Sequence, residues 1–206
     1  MITIINYGSG NISAIGNIYE RLKIPFKVAE TPKEVIGAQK ILLPGVGAFD
    51  ETIEMLDKSG FRSVLDHEVL KNKVPVLGIC VGMQILAKSS EEGTLPGLGW
   101  INGVVKKIDK TLIHEKPKIP HLGWNSVELV KNNLLFDEID VKEGFYFLHS
   151  YYFECVEDSD ILTKTYYGKN FASSVKNNNI YGVQFHPEKS HHNGVKLLQN
   201  FANLNA

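Results

Sequence analysis

Thiols are scarce in this chain: its 206 residues include only two cysteines, Cys80 and Cys155. Two cysteines without CxxC spacing build no disulfide framework, and their scarcity fits a reducing compartment. An excess of charge of one sign is also missing. The formal net charge is −1, so no global field draws nucleic acid or an anionic membrane, and neither is expected as a partner. No run of about 20 apolar residues occurs that would cross a bilayer. Met1-Ile2-Thr3-Ile4-Ile5 reads directly as a strand, without a basic stretch leading into a long apolar one, so the expected location is the cytoplasm. Internal repeats, low-complexity tracts and linkers rich in Pro, Gly and Ser are absent. The expectation is one domain over 1–206, with ample length for a core.

What is present centres on Val74 to Gln84. Val74 to Leu77 reads as a buried strand, and from Met83 the apolar spacing of Met83, Leu86 and Ala87 is helical. Cys80 lies between them with Gly78 and Gly82 two positions away on either side. That is the pattern of a nucleophile elbow carrying sulfur, with the side chain standing exposed above the sheet. A helix N-terminus beside it favours the thiolate.

The first part of the chain alternates strands and helices, which predicts a parallel, doubly wound sheet. Ile2 to Asn6, Phe26 to Ala29 and Lys40 to Leu43 read as strands. An amphipathic helix follows Tyr7-Gly8-Ser9-Gly10-Asn11, with Asn11 as its N-cap. Helices are expected over Asp50 to Lys58 and Arg62 to Lys71. The loop Pro44-Gly45-Val46-Gly47 can turn backbone N–H groups toward a site beside the sheet. The second part reads as short strands: Gly103 to Ile108, Ser126 to Val130, Phe145 to Leu148, Tyr151 to Val156, Ile161 to Tyr167, Phe171 to Lys176 and Ile180 to Phe185. A helix is expected from Ser190 nearly to the end. The fold class is therefore α/β, doubly wound and mainly parallel, flanked by helices, with antiparallel strand additions in the second half.

Ile180 to Phe185 runs into His186-Pro187-Glu188. Two residues apart in extended chain, His186 and Glu188 project to one side, so a carboxylate can hold one imidazole nitrogen while the other faces a thiol. His191 and His192 lie close by, but no cysteine is spaced to complete a zinc set and adjacent helical residues diverge. Neither metal nor cofactor is expected.

Gly78-Ile79-Cys80-Val81-Gly82-Met83-Gln84 with His186-Pro187-Glu188 resembles the class I glutamine amidotransferases. Within them, Tyr7 to Asn11, Pro44 to Phe49, Pro120-His121-Leu122-Gly123-Trp124-Asn125 and His149-Ser150-Tyr151 are similar to the glutaminase subunits of imidazole glycerol phosphate synthases, and the likeness spans nearly the whole chain. Tyr151-Tyr152-Phe153 and the insertion-like Thr111 to Lys118 are less characteristic of those subunits than the motifs just named. The resemblance implies glutamine hydrolysis through a thioester on Cys80, with His186 as base and acid and Glu188 orienting it. Backbone N–H groups of Val81 and of the Val46–Gly47 segment would meet the oxyanion. Gln84 and Glu92 would hold the amino-acid end of glutamine, and the backbone at Ser150 and Tyr151 its carboxylate. A cyclase subunit would dock to form a heterodimer at Asn11, Trp124, Tyr146 and Lys189. Relatives of such subunits also feed ammonia to ATP-dependent amidotransferases of surface-sugar synthesis. Two readings of other classes stay open: a flavodoxin-like FMN-binding module using the Tyr7 to Asn11 loop, and a general cysteine hydrolase.

Overall fold

The computed structural model describes residues 1–114 and 118–204. Part of the insertion-like Thr111 to Lys118 stretch thus lies outside the described residues. In chain order the first half comprises β1 (Ile2–Ile5), α1 (Ile12–Arg21), β2 (Phe26–Ala29), β3 (Lys40–Gly45), α2 (Phe49–Lys58), α3 (Phe61–Asp66), β4 (Val76–Cys80) and α4 (Val81–Gln84). The second half comprises β5 (Ser89–Ser90), β6 (Gly103–Lys107), β7 (His121–Asn125), β8 (Glu128–Leu129), β9 (Phe145–His149), β10 (Tyr151–Cys155), β11 (Ile161–Tyr167), β12 (Lys169–Asn177), β13 (Ile180–Val183) and α5 (His191–Asn203).

One sheet joins the halves in the order β2-β1-β3-β4-β13-β12-β10-β6-β5, with β11 on β12 and β8 on β11. The pairs from β2 across to β13 are parallel, and β12 pairs antiparallel with β13, β10 and β11. Strands β3 and β4 are buried nearly throughout, as expected of central parallel strands covered on both faces. Helix α1 packs Ile15, Ile18 and Tyr19 inward, and full burial of each such side chain stabilises the fold by about 1.5–3 kcal/mol. Strands β7 and β9 form a separate antiparallel ribbon with His121 opposite His149 and Trp124 opposite Tyr146.

Several expectations shift. The helix after the elbow stops at Gln84, and Ser89–Ser90 is strand. Its onward carbonyls are taken from outside: Leu98 N–H donates to Ile85, Ile101 to Leu86 and Gly99 to Ala87. The Ser126 to Val130 strand shrinks to Glu128–Leu129, and its neighbour β7 was not foreseen. Asn11 sits at the N-cap position of α1, but its side chain makes no capping bond.

Candidate active site

The C-terminal ends of β3, β4 and β13 converge, which is where open parallel sheets place their sites. Cys80 closes β4 with φ 56° and ψ −113°, a conformation that costs an L-residue about 1–3 kcal/mol. The glycines around it make that turn possible by allowing close approach. A Cβ on Gly78 would lie 2.5 Å from the Gly82 carbonyl oxygen, and one on Gly82 would lie 1.9 Å from that of Leu43.

The elbow differs from expectation in two respects. Cys80 is only 4% exposed, so the thiol sits at the base of a cavity of about 420 Å³ instead of standing clear of the sheet. The helix behind it has four residues, too few for a strong macrodipole, so the thiol's neighbours must supply the polarity. His186 lines the same cavity as Cys80. The Gln184 side-chain amide donates toward Sγ at 3.9 Å, and the Leu148 carbonyl lies 4.0 Å from it.

His186 Nδ1 lies 2.9 Å from Glu188 Oε1, and both side chains are buried. Glu188 reaches the ring through a 3-10 turn over Pro187–Lys189, not through strand alternation as the spacing suggested. The turn's start is fixed by His186 N–H donating to the Tyr146 carbonyl, and by the Ser190 hydroxyl, which donates to the His186 carbonyl and accepts from Tyr146 N–H. Burial alone would lower the His186 pKa, but Cys80 and Glu188 together outweigh it and push it up to about 10. The ring is therefore a proton holder beside a sulfur.

Val46 and Gly47 line the cavity on one side and Val81 on another. The Val46 N–H, expected as an oxyanion donor, is engaged: it donates to Ser9 Oγ at 2.9 Å, and the Ser9 hydroxyl also reaches the Val46 carbonyl. Ser9 is not among the residues lining the cavity, so this N–H is directed away from it. The Tyr7 hydroxyl donates to the Pro44 carbonyl at 2.5 Å. The loop read as a possible FMN cradle thus braces the Pro44–Gly47 segment.

Gln84, Glu92, Leu148, His149, Ser150, Tyr151 and Lys189 complete the lining. Gln84 Nε2 donates to the Tyr151 carbonyl and to Gln184 Oε1, each at 3.0 Å, which leaves its oxygen as the group able to meet a ligand donor. Glu92 is half-buried and accepts from Phe49 N–H. Burial raises its carboxyl pKa, and Asp50 and Glu51 add to the rise.

The four positions expected at a partner face fall outside the cavity except Lys189. Lys189 Nζ lies over the Tyr146 ring at 5.8 Å. Trp124 is 43% exposed, lies tilted against the His191 ring and stands beside exposed Leu122 and Leu148. Asn11 is exposed at the start of α1. From the sequence no role was read for Gln184, His149, Ser190 or Ser9, although His149 and Ser9 stand in motifs named above. Among the described residues no group of three or more His, Cys, Asp or Glu could hold a metal, and no helix is long and apolar enough to cross a membrane.

Cys80 in its strained elbow, the imidazole held by Glu188 and the glycine-rich Val46–Gly47 loop thus meet at one cavity of an α/β sheet. The chain belongs to the class I glutamine amidotransferase family, whose profile it matches over residues 3–204. It is 50% identical to the imidazole glycerol phosphate synthase subunit HisH of Leptospira interrogans, over 99% of this chain and 100% of that protein. It is 52% identical, with the same coverage, to the subunit of that name from Bdellovibrio bacteriovorus. Among solved structures, it is similar to the crystal structure of a glutamine amidotransferase (TM-score 0.71, 16% identity, 98% of this chain and 99% of that one). PurLQS from Thermotoga maritima is similar at TM-score 0.70 and 16% identity, over 98% of this chain and 97% of that one.

Proposed function

We propose that the chain is the glutaminase subunit of an imidazole glycerol phosphate synthase, hydrolysing glutamine to glutamate and ammonia and passing ammonia to a cyclase subunit in histidine biosynthesis. The observation that carries this reading is full-length identity of about half the residues with subunits of that name, joined to a cavity that gathers Cys80, His186, Gln84 and Glu92.

Cys80 Sγ attacks the side-chain amide carbon of glutamine. His186 takes the thiol proton and delivers it to the departing ammonia, leaving a thioester. Glu188 holds the Nδ1–H tautomer and stabilises the imidazolium. Water then attacks the thioester by the same route and frees glutamate. Val81 N–H and one donor from the Val46–Gly47 segment meet the oxyanion, and each such donor contributes about 3 kcal/mol to transition-state stability. Glu92 faces the α-ammonium, with the Gln84 side-chain oxygen beside it, and the Ser150–Tyr151 backbone takes the α-carboxylate.

The cyclase docks on the face of Asn11, Trp124, Tyr146 and Lys189, where exposed Leu122 and Leu148 add apolar area to be covered. The deciding experiment measures glutamine hydrolysis by the purified chain with and without the cyclase and its nucleotide ligand. Stimulation by the cyclase supports the reading. A chain that neither binds nor responds to it, but serves a sugar-modifying amidotransferase, belongs to that pathway instead.

A further inference from the structure

At the wall of the cavity, which His149 helps to line, stands a histidine pair that the chemistry above does not use. His149 ends β9 and His121 begins β7, directly opposite one another across the ribbon. Both are buried, at 6% and 3% exposure. His121 Nδ1 lies 2.9 Å from His149 Nε2, and His149 Nδ1 lies 2.8 Å from the Tyr151 carbonyl. At the other end, Asn125 Nδ2 reaches His121 Nε2 at 3.1 Å and donates to the Tyr166 carbonyl at 3.0 Å.

These partners fix every proton. A carbonyl only accepts, so His149 carries its hydrogen on Nδ1. A neutral His149 then accepts at Nε2, which places the His121 hydrogen on Nδ1 as well. His121 Nε2 must accept in turn. Asn125 supplies that donor, and its orientation is set by the Tyr166 carbonyl. The row is polarised in one direction, from Asn125 on β7 to the Tyr151 carbonyl. Burial keeps both rings neutral, lowering His121 to about 4 and, with His121 adding to the effect, His149 to about 3. Aromatic plates hold His121 in place, with Phe147 and Tyr167 stacked on it at centroid distances of 4.7 and 4.0 Å.

The end point of the row gives it a purpose. The Tyr151 carbonyl accepts from His149 on one side and from Gln84 on the other, and Gln84 and Tyr151 both line the cavity beside Ser150. We propose that His121 and His149 are positioning residues for glutamine, a neutral pair that holds the Ser150–Tyr151 turn and Gln84 in the arrangement that receives the amino-acid end of the substrate. The proposal rests on the glutaminase reading of the cavity, and it gives neither ring a part in the proton transfers.

Two measurements test it on the full chain with its partner subunit present. Imidazole ¹⁵N spectra of the wild type at pH 7 are expected to show two neutral Nδ1–H rings, the tautomer less favoured by free histidine in water. Assignment of either His121 or His149 as Nε2–H overturns the proposal, whatever the variants do. His121→Phe keeps the aromatic plate but removes the donor, leaving His149 Nε2 unpaired in a buried place. It is expected to raise the glutamine KM about tenfold while kcat stays within about twofold. His121→Asn, whose amide nitrogen falls near Nδ1, is expected to bring KM back to within about threefold. An unchanged KM in His121→Phe, or a loss confined to kcat, refutes a role in substrate positioning. Wild type that turns over no glutamine with its partner overturns the glutaminase reading itself, and this proposal with it. Normal turnover with the wrong tautomer overturns this proposal alone.

Discussion

At the scale of single residues, the two thiols separate cleanly. Cys80 faces an imidazole in a cavity, whereas burial and the neighbouring Asp160 and Asp158 push the Cys155 thiol up to about 12. The glutamine analogue 6-diazo-5-oxo-norleucine should therefore label Cys80 and leave Cys155 free, as peptide mass spectrometry would reveal; an adduct on Cys155 contradicts the assignment. Cys80→Ala should abolish glutamine hydrolysis with the fold retained. The imidazole supplies a pH prediction. His186 is held up to about 10 partly by Glu188, and its proton is the one ammonia needs on leaving. Activity should therefore persist into alkaline solution and fall as pH rises through that value. Glu188→Gln removes part of the support, so the alkaline limb of kcat should move to lower pH by about one unit. A limb that stays in place would show that another group governs it. Cys80 and His186 were legible in the sequence because their signals are local: glycines two positions either side of one, a carboxylate two positions after the other. The roles of Gln184 and His149 were not, because each arises only when strands far apart in the chain are paired.

At the scale of elements, the turns matter more than the strands. The helical spacing after Met83 was real, but the helix yields to a loop whose N–H groups at 98, 99 and 101 take its carbonyls, a tertiary override that no local pattern records. The elbow itself is tight. Gly82→Ala would force a methyl group against the Leu43 carbonyl, so a loss of about 3 kcal/mol in urea unfolding is expected. A change below about 0.5 kcal/mol would mean that the elbow relaxes freely. The Pro44–Gly47 segment invites a second test. Its glycines allow a peptide plane to turn over at little steric cost, and the Ser9 hydroxyl now retains the Val46 N–H away from the cavity. Ser9→Ala removes both hydrogen bonds to Val46, of which the one holding the N–H is worth about 1 kcal/mol net. The rate of glutamine hydrolysis without partner should therefore rise up to about fivefold, while the fully stimulated rate is nearly unchanged. An unstimulated rate equal to wild type would show that Ser9 does not restrain the segment.

At the scale of the whole molecule, burying neutral histidines makes stability depend on pH. In the unfolded chain His121 and His149 take up protons near their ordinary value of about 6.5. Folded, they do so only near 4 and 3, because burial disfavours the charged rings. The unfolded state thus binds more protons as pH falls below about 6.5, and stability must fall with it. Each ring contributes a slope of about 1.4 kcal/mol per pH unit across that window, so the pair gives about 2.7 near pH 5. His186 behaves oppositely: its raised pKa contributes stability that is fully present below about 6.5 and is lost as pH rises through about 10. Below 6.5 it is protonated in both states and adds no slope, and most carboxylates titrate lower still, so the interval from pH 6.5 to 5 reports chiefly on histidines that resist protonation when folded. Urea unfolding at half-unit steps should show stability declining steadily over that interval in wild type. In His121→Phe one buried ring remains, and the decline should be about half as steep. A wild-type profile flat from pH 6.5 to 5 would mean that the two rings open to solvent and protonate without unfolding the chain, and the neutral pair at the cavity wall could not then be a fixed part of the fold.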